Sequence, residues 1–121
     1  MQLRFFVMLS LLTVPVLAQA GDSRTVIGSG MASYYGAEFS GNRTASGEKF
    51  DPGALTAAHR TLSFGSRVAV TNLTNGQEVI VRVNDRGPWG KTRIMDISYA
   101  AAKKIGMDRS GTARVKLELL D

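Results

Sequence analysis

Four short stretches hold the residues able to do chemistry. In Thr44-Ala45-Ser46-Gly47-Glu48-Lys49-Phe50-Asp51-Pro52 two carboxylates stand three residues apart, beside a glycine and a proline that set the backbone. A single turn would point Glu48 and Asp51 the same way. Two close carboxylates, or one against an apolar wall such as Phe50, can have a raised pKa, which is what a general acid needs. The same spacing also suits a solvated loop with ordinary charges. In Thr56-Ala57-Ala58-His59-Arg60 the single histidine follows small residues. It can approach a carboxylate or a sugar hydroxyl closely, or it can be a structural, hydrogen-bonded imidazole. Asn84-Asp85-Arg86-Gly87-Pro88-Trp89-Gly90 leads polar residues into a Gly-Pro turn with the only tryptophan. Trp89 there either stacks on a sugar ring or base or covers the end of the fold, and Asp85 beside Arg86 could form a local ion pair. In Arg93-Ile94-Met95-Asp96-Ile97-Ser98, strand alternation puts Asp96 on the face of Ile94, with Arg93, Met95 and Ile97 on the other. A carboxylate among apolar neighbours must be paired or protonated. Asp96 also precedes a helical segment, so capping and catalysis are both open to it.

Composition removes whole classes of chemistry. The 121 residues include no cysteine, which excludes disulfides, a thiolate nucleophile, Cys-ligated zinc and a lipidated cysteine. One histidine excludes a multi-histidine metal site. No Gly-x-Ser-x-Gly elbow, phosphate loop or zinc-helix motif is present, and no metal or cofactor is expected. Fifteen Lys and Arg against ten Asp and Glu give a net charge of +5, which suits an anionic polymer. The basic residues are scattered rather than clustered, so nucleic acid is not an expected partner.

The elements that must position these residues are mostly strands. Residues 1–20 join a short basic start, an apolar run over 5–18 and an Ala18-Gln19-Ala20 end. That run is shorter than the roughly 20 apolar residues of a spanning helix. It predicts a secretory signal cleaved between Ala20 and Gly21, with a retained tethering helix as the alternative. Residues 21–30 read as a polar, loose lead-in. From 31 to 121 the pattern predicts one domain. Alternation marks strands at 67–71, 79–84 and 114–119, with further candidates at 31–35 and 93–97. Asn75-Gly76 signals a hairpin. Residues 98–105 are Ala-rich and predict one helix, with Ser98 as N-cap and Gly106 as stop. No internal repeat is visible. Two irregular stretches, 36–55 and 85–92, are long for a small β domain and contain the unusual polar residues, which argues that they are functional. Short strands, one helix and Gly-rich turns predict a mainly β, small closed barrel.

Several of these motifs together resemble the rare lipoprotein A (RlpA) family. Ala32-Ser33-Tyr34-Tyr35-Gly36, Arg43-Thr44-Ala45-Ser46-Gly47-Glu48, Phe50-Asp51, Thr56-Ala57-Ala58-His59, Thr71-Asn72-Leu73, Val83-Asn84-Asp85-Arg86-Gly87-Pro88 and Asp96-Ile97-Ser98-Tyr99-Ala100-Ala101-Ala102 follow in the family's order, from about 30 to 120. The resemblance implies a six-stranded double-psi β-barrel with one short helix, as in expansins and barwin. It implies an exported bacterial protein, periplasmic or wall-associated. It also implies lytic transglycosylase activity on peptidoglycan glycan strands stripped of stem peptides. Such enzymes cleave the MurNAc–GlcNAc β-1,4 bond without water and leave a 1,6-anhydro ring.

By position, Glu48, Asp51 and His59 match family residues implicated in activity, Asp85 lines the groove, and Asp96 looks like the barrel's acid/base aspartate. The expectation is therefore Asp96 as acid/base with Glu48 as its competitor, and Asp51 and His59 positioning substrate or tuning the acid. Arg86, Thr44 and Ser46 would contact substrate, while Trp89 and Tyr34 would stack on sugar. Without a cysteine after the signal, a monomeric mature protein with no lipid anchor is expected. The sequence stops at Asp121 with no SPOR domain, so septal targeting by that route is not expected. Two rivals stay open: a non-catalytic, expansin-like wall binder, and a hydrolase.

Overall fold

The computed structural model describes residues 23–121, so the expected signal and its cleavage site lie outside the described residues. Six strands carry the fold: β1 (Arg24–Tyr34), β2 (Thr56–Ala58), β3 (Arg67–Asn72), β4 (Glu78–Asp85), β5 (Arg93–Ile97) and β6 (Thr112–Leu120). One helix, α1 (Tyr99–Lys104), follows β5. The alternation anticipated for β3, β4 and β6 is the core pattern. Val68, Val70, Val79, Val81, Val83, Val115 and Leu117 are all buried, and Met95 and Ile97 of β5 join them. Among the described residues no helix is long and apolar enough to cross a membrane.

The strands close into a barrel in the order β1-β5-β2-β4-β3-β6, with β6 returning to β1. Two pairings are parallel, β1 with β5 and β2 with β4, and the rest are antiparallel. Exchanging β1, β2 and β3 for β4, β5 and β6 leaves every neighbour and every direction unchanged. The first strand of each half thus lies parallel to the second strand of the other. This interlock is the double-psi barrel that the motifs implied.

Residues 24–30 correct one expectation: they are not a loose lead-in but the first part of β1. Arg24 faces Leu120 and Ser29 faces Lys116 across an antiparallel ladder with β6, with an irregularity between Val26 and Gly28. Most of these side chains are half or fully exposed, so no apolar alternation betrays the strand. Main-chain pairing with a distant strand decides it instead.

Helix α1 is set by its ends. Ser98 Oγ accepts the N–H of Ala101 at 3.2 Å and donates to the carbonyl of Ala54 at 2.6 Å. Ser98 is therefore the N-cap, and the capping role left open for Asp96 is filled by a neighbour. Lys103 and Lys104 occupy the last turn, and Gly106 follows at φ +70°. A Cβ on Gly106 would meet the side chains of Asn75 and Gln77 at 2.9 Å, so the stop also packs against the β3–β4 hairpin.

Candidate active site

A cleft of about 750 Å³ opens where the β1–β2 connection meets the β4–β5 connection. Tyr34 and Tyr35 line it from the end of β1, and Glu38 and Phe39 from a short 3-10 turn. Asp85 and Arg86 line it from the end of β4, Trp89 from the following loop, and Arg93 and Asp96 from β5.

Asp96 lies opposite Ser33 in the parallel β1–β5 register. Its Oδ1 accepts from Ser33 Oγ and from Arg93 Nη1, the latter at 2.5 Å, and Arg93 Nη1 also reaches Ser33 Oγ at 2.5 Å. Asp96 Oδ2 has no hydrogen-bond partner among the described residues and is not buried. One oxygen is therefore held while the other is left without a protein partner. The ion pair corrects the simple alternation that put Arg93 on the opposite face. Met31 pairs with Arg93 but Ala32 pairs with Met95, so β5 carries a bulge at Ile94. The extra residue breaks the two-residue period and brings Arg93 to the side of Asp96.

Asp85 is held differently. Its Oδ1 accepts the backbone N–H groups of Ala45 at 2.8 Å and Arg86 at 2.9 Å, and its Oδ2 accepts the Tyr35 hydroxyl at 3.0 Å. Burial, then the charge and hydrogen bond of Asp85, with a further contribution from Asp96, push the Tyr35 phenol far above its usual range. Tyr35 is thus a fixed neutral donor. Its ring stacks on Phe50 with centroids 4.6 Å apart.

Five of the ten residues named from the sequence meet in the cleft: Asp96, Asp85, Arg86, Trp89 and Tyr34. Arg86 makes no ion pair with Asp85. Its Nη1 donates to the carbonyls of His59 at 3.1 Å and Leu62 at 2.7 Å, and its guanidinium lies 4.1 Å from the centre of the Phe64 ring. Trp89 is 75% exposed.

Glu48, Asp51, His59, Thr44 and Ser46 do not line the cleft. The expectation of a raised Glu48 pKa is reversed. Arg82 Nη1 and Nη2 donate to its two carboxylate oxygens at 2.6 and 3.1 Å, and Asn84 Nδ2 donates to Oε1 at 3.0 Å. These bonds lower its pKa to about 2. Asp51 Oδ1 accepts the Gly53 N–H at 2.8 Å and turns the chain there. His59 Nδ1 accepts the N–H groups of Thr61 and Leu62, both at 3.2 Å, which leaves its proton on Nε2. Burial, then the charges of Arg60 and Arg86, lower its pKa and keep it neutral. Thr44 Oγ1 bonds the Glu48 carbonyl at 3.0 Å and Ser46 Oγ at 2.9 Å. Thr44, Ser46 and Glu48 build the loop that carries the Ala45 N–H to Asp85, so they serve the cleft at one remove.

Arg93, Tyr35, Glu38, Phe39, Asn42 and Arg43 are among the cleft residues that sequence reasoning did not assign. The bulge at Ile94 hid Arg93, because spacing on a regular strand argues against its pairing with Asp96. Among the described residues no group of three or more His, Asp or Glu side chains is arranged to hold a metal ion.

A sequence-family profile described as "Lytic transglycolase" matches residues 27–117. The chain is 57% identical over 91 residues to a probable endolytic peptidoglycan transglycosylase RlpA of Synechocystis, covering 75% of this chain and 28% of that protein. It is 55% identical over 100 residues to the endolytic peptidoglycan transglycosylase RlpA of Pseudomonas aeruginosa, covering 83% of this chain and 29% of that one. It therefore spans under a third of the length of these relatives. The apo structure of the Clavibacter michiganensis expansin superposes with a TM-score of 0.61 at 17% identity, over 82% of this chain and 51% of that one. With the barrel, the ordered motifs and the profile in agreement, the chain belongs to the lytic transglycolase family of double-psi β-barrel domains, in its RlpA branch.

Proposed function

We propose that the cleft is the active site of a lytic transglycosylase. It cleaves the MurNAc–GlcNAc β-1,4 bond of peptide-stripped peptidoglycan strands, with Asp96 as acid and then base. The observation that carries this reading is the asymmetry of Asp96, a residue that lines the cleft: one oxygen is fixed by Ser33 and Arg93, and the other has no partner among the described residues.

As the acid, Asp96 gives a proton to the bridging oxygen as the bond from MurNAc C1 to that oxygen breaks. The resulting carboxylate then takes the proton of the MurNAc C6 hydroxyl. O6 bonds to C1, the 1,6-anhydro ring closes, and Asp96 regains its proton. No water enters, so one carboxyl suffices. A hydrolase generally needs a second carboxylate, as nucleophile or to activate water. Asp85 is poorly suited to that part, because three donors already occupy its two oxygens. Its part is to fix Tyr35 and the 43–48 loop. Glu38 stands on an exposed turn at the rim. Trp89 and Tyr34 offer ring faces for sugar stacking. Glycan is the partner, the protein acts as a monomer, and it works outside the cytoplasm, which the apolar 5–18 run supports.

The test is incubation of the purified protein with glycan strands that have and have not been stripped of peptide, with mass spectrometry of the soluble fragments. The proposal expects 1,6-anhydro ends. Reducing ends would replace it with hydrolysis, and sedimentation with the wall without fragments would replace it with an expansin-like binder.

A further inference from the structure

We infer that Arg60 is a positioning residue that holds both the Trp89 wall of the cleft and the backbone behind the Arg93–Asp96 pair. Arg60 follows β2 and donates to three carbonyls of one short segment. Its Nε reaches Pro88 O at 2.7 Å, and its Nη2 reaches Gly90 O at 2.5 Å and Arg93 O at 2.6 Å. Two of these acceptors flank Trp89. The third belongs to the residue whose side chain grips Asp96 Oδ1.

The segment has little else to fix it. Every backbone polar group needs a partner or water. Among the described residues, 86–92 makes no backbone–backbone hydrogen bond outside the strand ladders. Its remaining main-chain bond within the protein is Arg86 N–H to Asp85. Gly87 and Pro88 are buried while Trp89 is exposed, so the loop turns around the Arg60 fork. A planar guanidinium can serve three carbonyls at once in fixed geometry, whereas a lysine ammonium acts as a point charge on a flexible stem.

Arg86 returns the contact. It donates to the carbonyls of His59 and Leu62 on either side of Arg60 and lies over Phe64. Two arginines thus bolt the 59–64 and 86–93 segments together in opposite directions. Neither takes part in an ion pair among the described residues. The catalytic consequence rests on the proposed transglycosylase, but the structural claim does not.

The chain has a single tryptophan, so its fluorescence reports this loop alone. Time-resolved anisotropy would be measured for the wild type, R60A, R60K and the control R67A, which removes an exposed arginine at the start of β3. Circular dichroism would establish that each is folded. In R60A the amplitude of fast depolarisation rises, R60K does not restore it, and R67A matches the wild type. On glycan strands R60A loses turnover on the order of 100-fold, the scale of a misplaced reacting group, with a lower kcat and a higher KM.

Unchanged anisotropy in a folded R60A would overturn the inference, and so would full restoration by R60K. If R60A does not fold, R60K is read in its place, with fast motion expected there too and its absence counting against the claim. If the wild type cleaves no glycan, the transglycosylase reading fails and the anisotropy still decides the role of Arg60. If the loop loosens in an active enzyme with kcat and KM unchanged, the catalytic half is wrong.

Discussion

Asp96→Asn and Glu48→Gln separate the two carboxylates that the sequence left in competition. Asn keeps an oxygen able to accept from Ser33 and Arg93 but cannot donate and then retrieve a proton. The ion pair that it removes joins side chains 35% and 21% exposed, so its stability cost is about 1 kcal/mol or less. General acid–base help is worth ~100- to 10,000-fold in rate, about 3 to 5 kcal/mol of barrier. D96N should therefore melt near the wild type and yet release anhydro-ended fragments at least 100-fold more slowly, on the order of the lower limit for such help. In E48Q the altered pair is 40% exposed at Glu48 and 45% at Arg82, again worth about 1 kcal/mol or less. Glu48 lies outside the cleft, with its pKa already lowered to about 2. Its loss reaches the chemistry only by loosening the 43–48 loop, and turnover should fall less than about tenfold, under 1.4 kcal/mol of barrier. The assay is the initial rate of soluble fragment release beside a thermal melt on the same samples. If folded E48Q is as slow as D96N, or folded D96N stays within tenfold of the wild type, the assignment of the acid is wrong.

Three further outcomes follow from side-chain hydrogen bonds. The folded-state pKa of Glu48 lies below its ordinary value of 4.5, so its contribution is present above pH 4.5 and lost as pH falls toward 2. Urea melts should show that loss in the wild type, at about 1 kcal/mol or less, and a smaller one in E48Q; equal slopes in both would refute the pairing. Tyr35 should stay a phenol well past the ordinary midpoint of 10.0, so wild type and Y35F should give the same phenolate absorbance change up to pH 12 while folded. A larger change in the wild type would mean that Tyr35 ionises normally. Asn72 is 3% exposed, donates to Ile105 O at 2.8 Å and accepts the Thr74 N–H at 3.0 Å. N72A leaves a buried turn without its acceptor and should cost about 1–3 kcal/mol in a denaturant melt; a loss below about 0.5 kcal/mol would mean that water or Asn75 replaces it.

Local signals carried much of the fold. Valine alternation located β3, β4 and β6, Asn75-Gly76 located their hairpin, and Ser98 with Gly106 bounded α1. What local signals could not carry was closure. The 24–30 segment has mostly exposed side chains, and only its ladder with β6 makes it a strand. The exchange symmetry of the two halves has no sequence repeat behind it, because it lies in which strands neighbour which. The bulge at Ile94 is also invisible to periodicity, and it is what joins Arg93 to Asp96. Arg60 sat in plain view after His59, but its three acceptors are backbone carbonyls, which no residue pattern marks.

The site follows the same logic as the closure. Glu48 and Asp51 looked like a pair because they are close in sequence, but Asp51 only turns the chain at Gly53, while Glu48, Asp85 and Asp96 each accept from the other half of the barrel. Glu48, before β2, is taken by Arg82 and Asn84 of β4. Asp85, at the end of β4, is taken by Tyr35 and Ala45 beyond β1. Asp96 of β5 meets Ser33 of β1, and Arg60 and Arg86 cross between the halves in opposite directions. Three side-chain carboxyls thereby take three settings: Glu48 in an ion pair with Arg82, Asp85 with both oxygens bonded, and Asp96 with one oxygen held. The parallel pairings β1–β5 and β2–β4 bring those donors within reach. Substitutions that shift one half against the other, even in the core far from the cleft, should therefore impair turnover before they unfold the barrel.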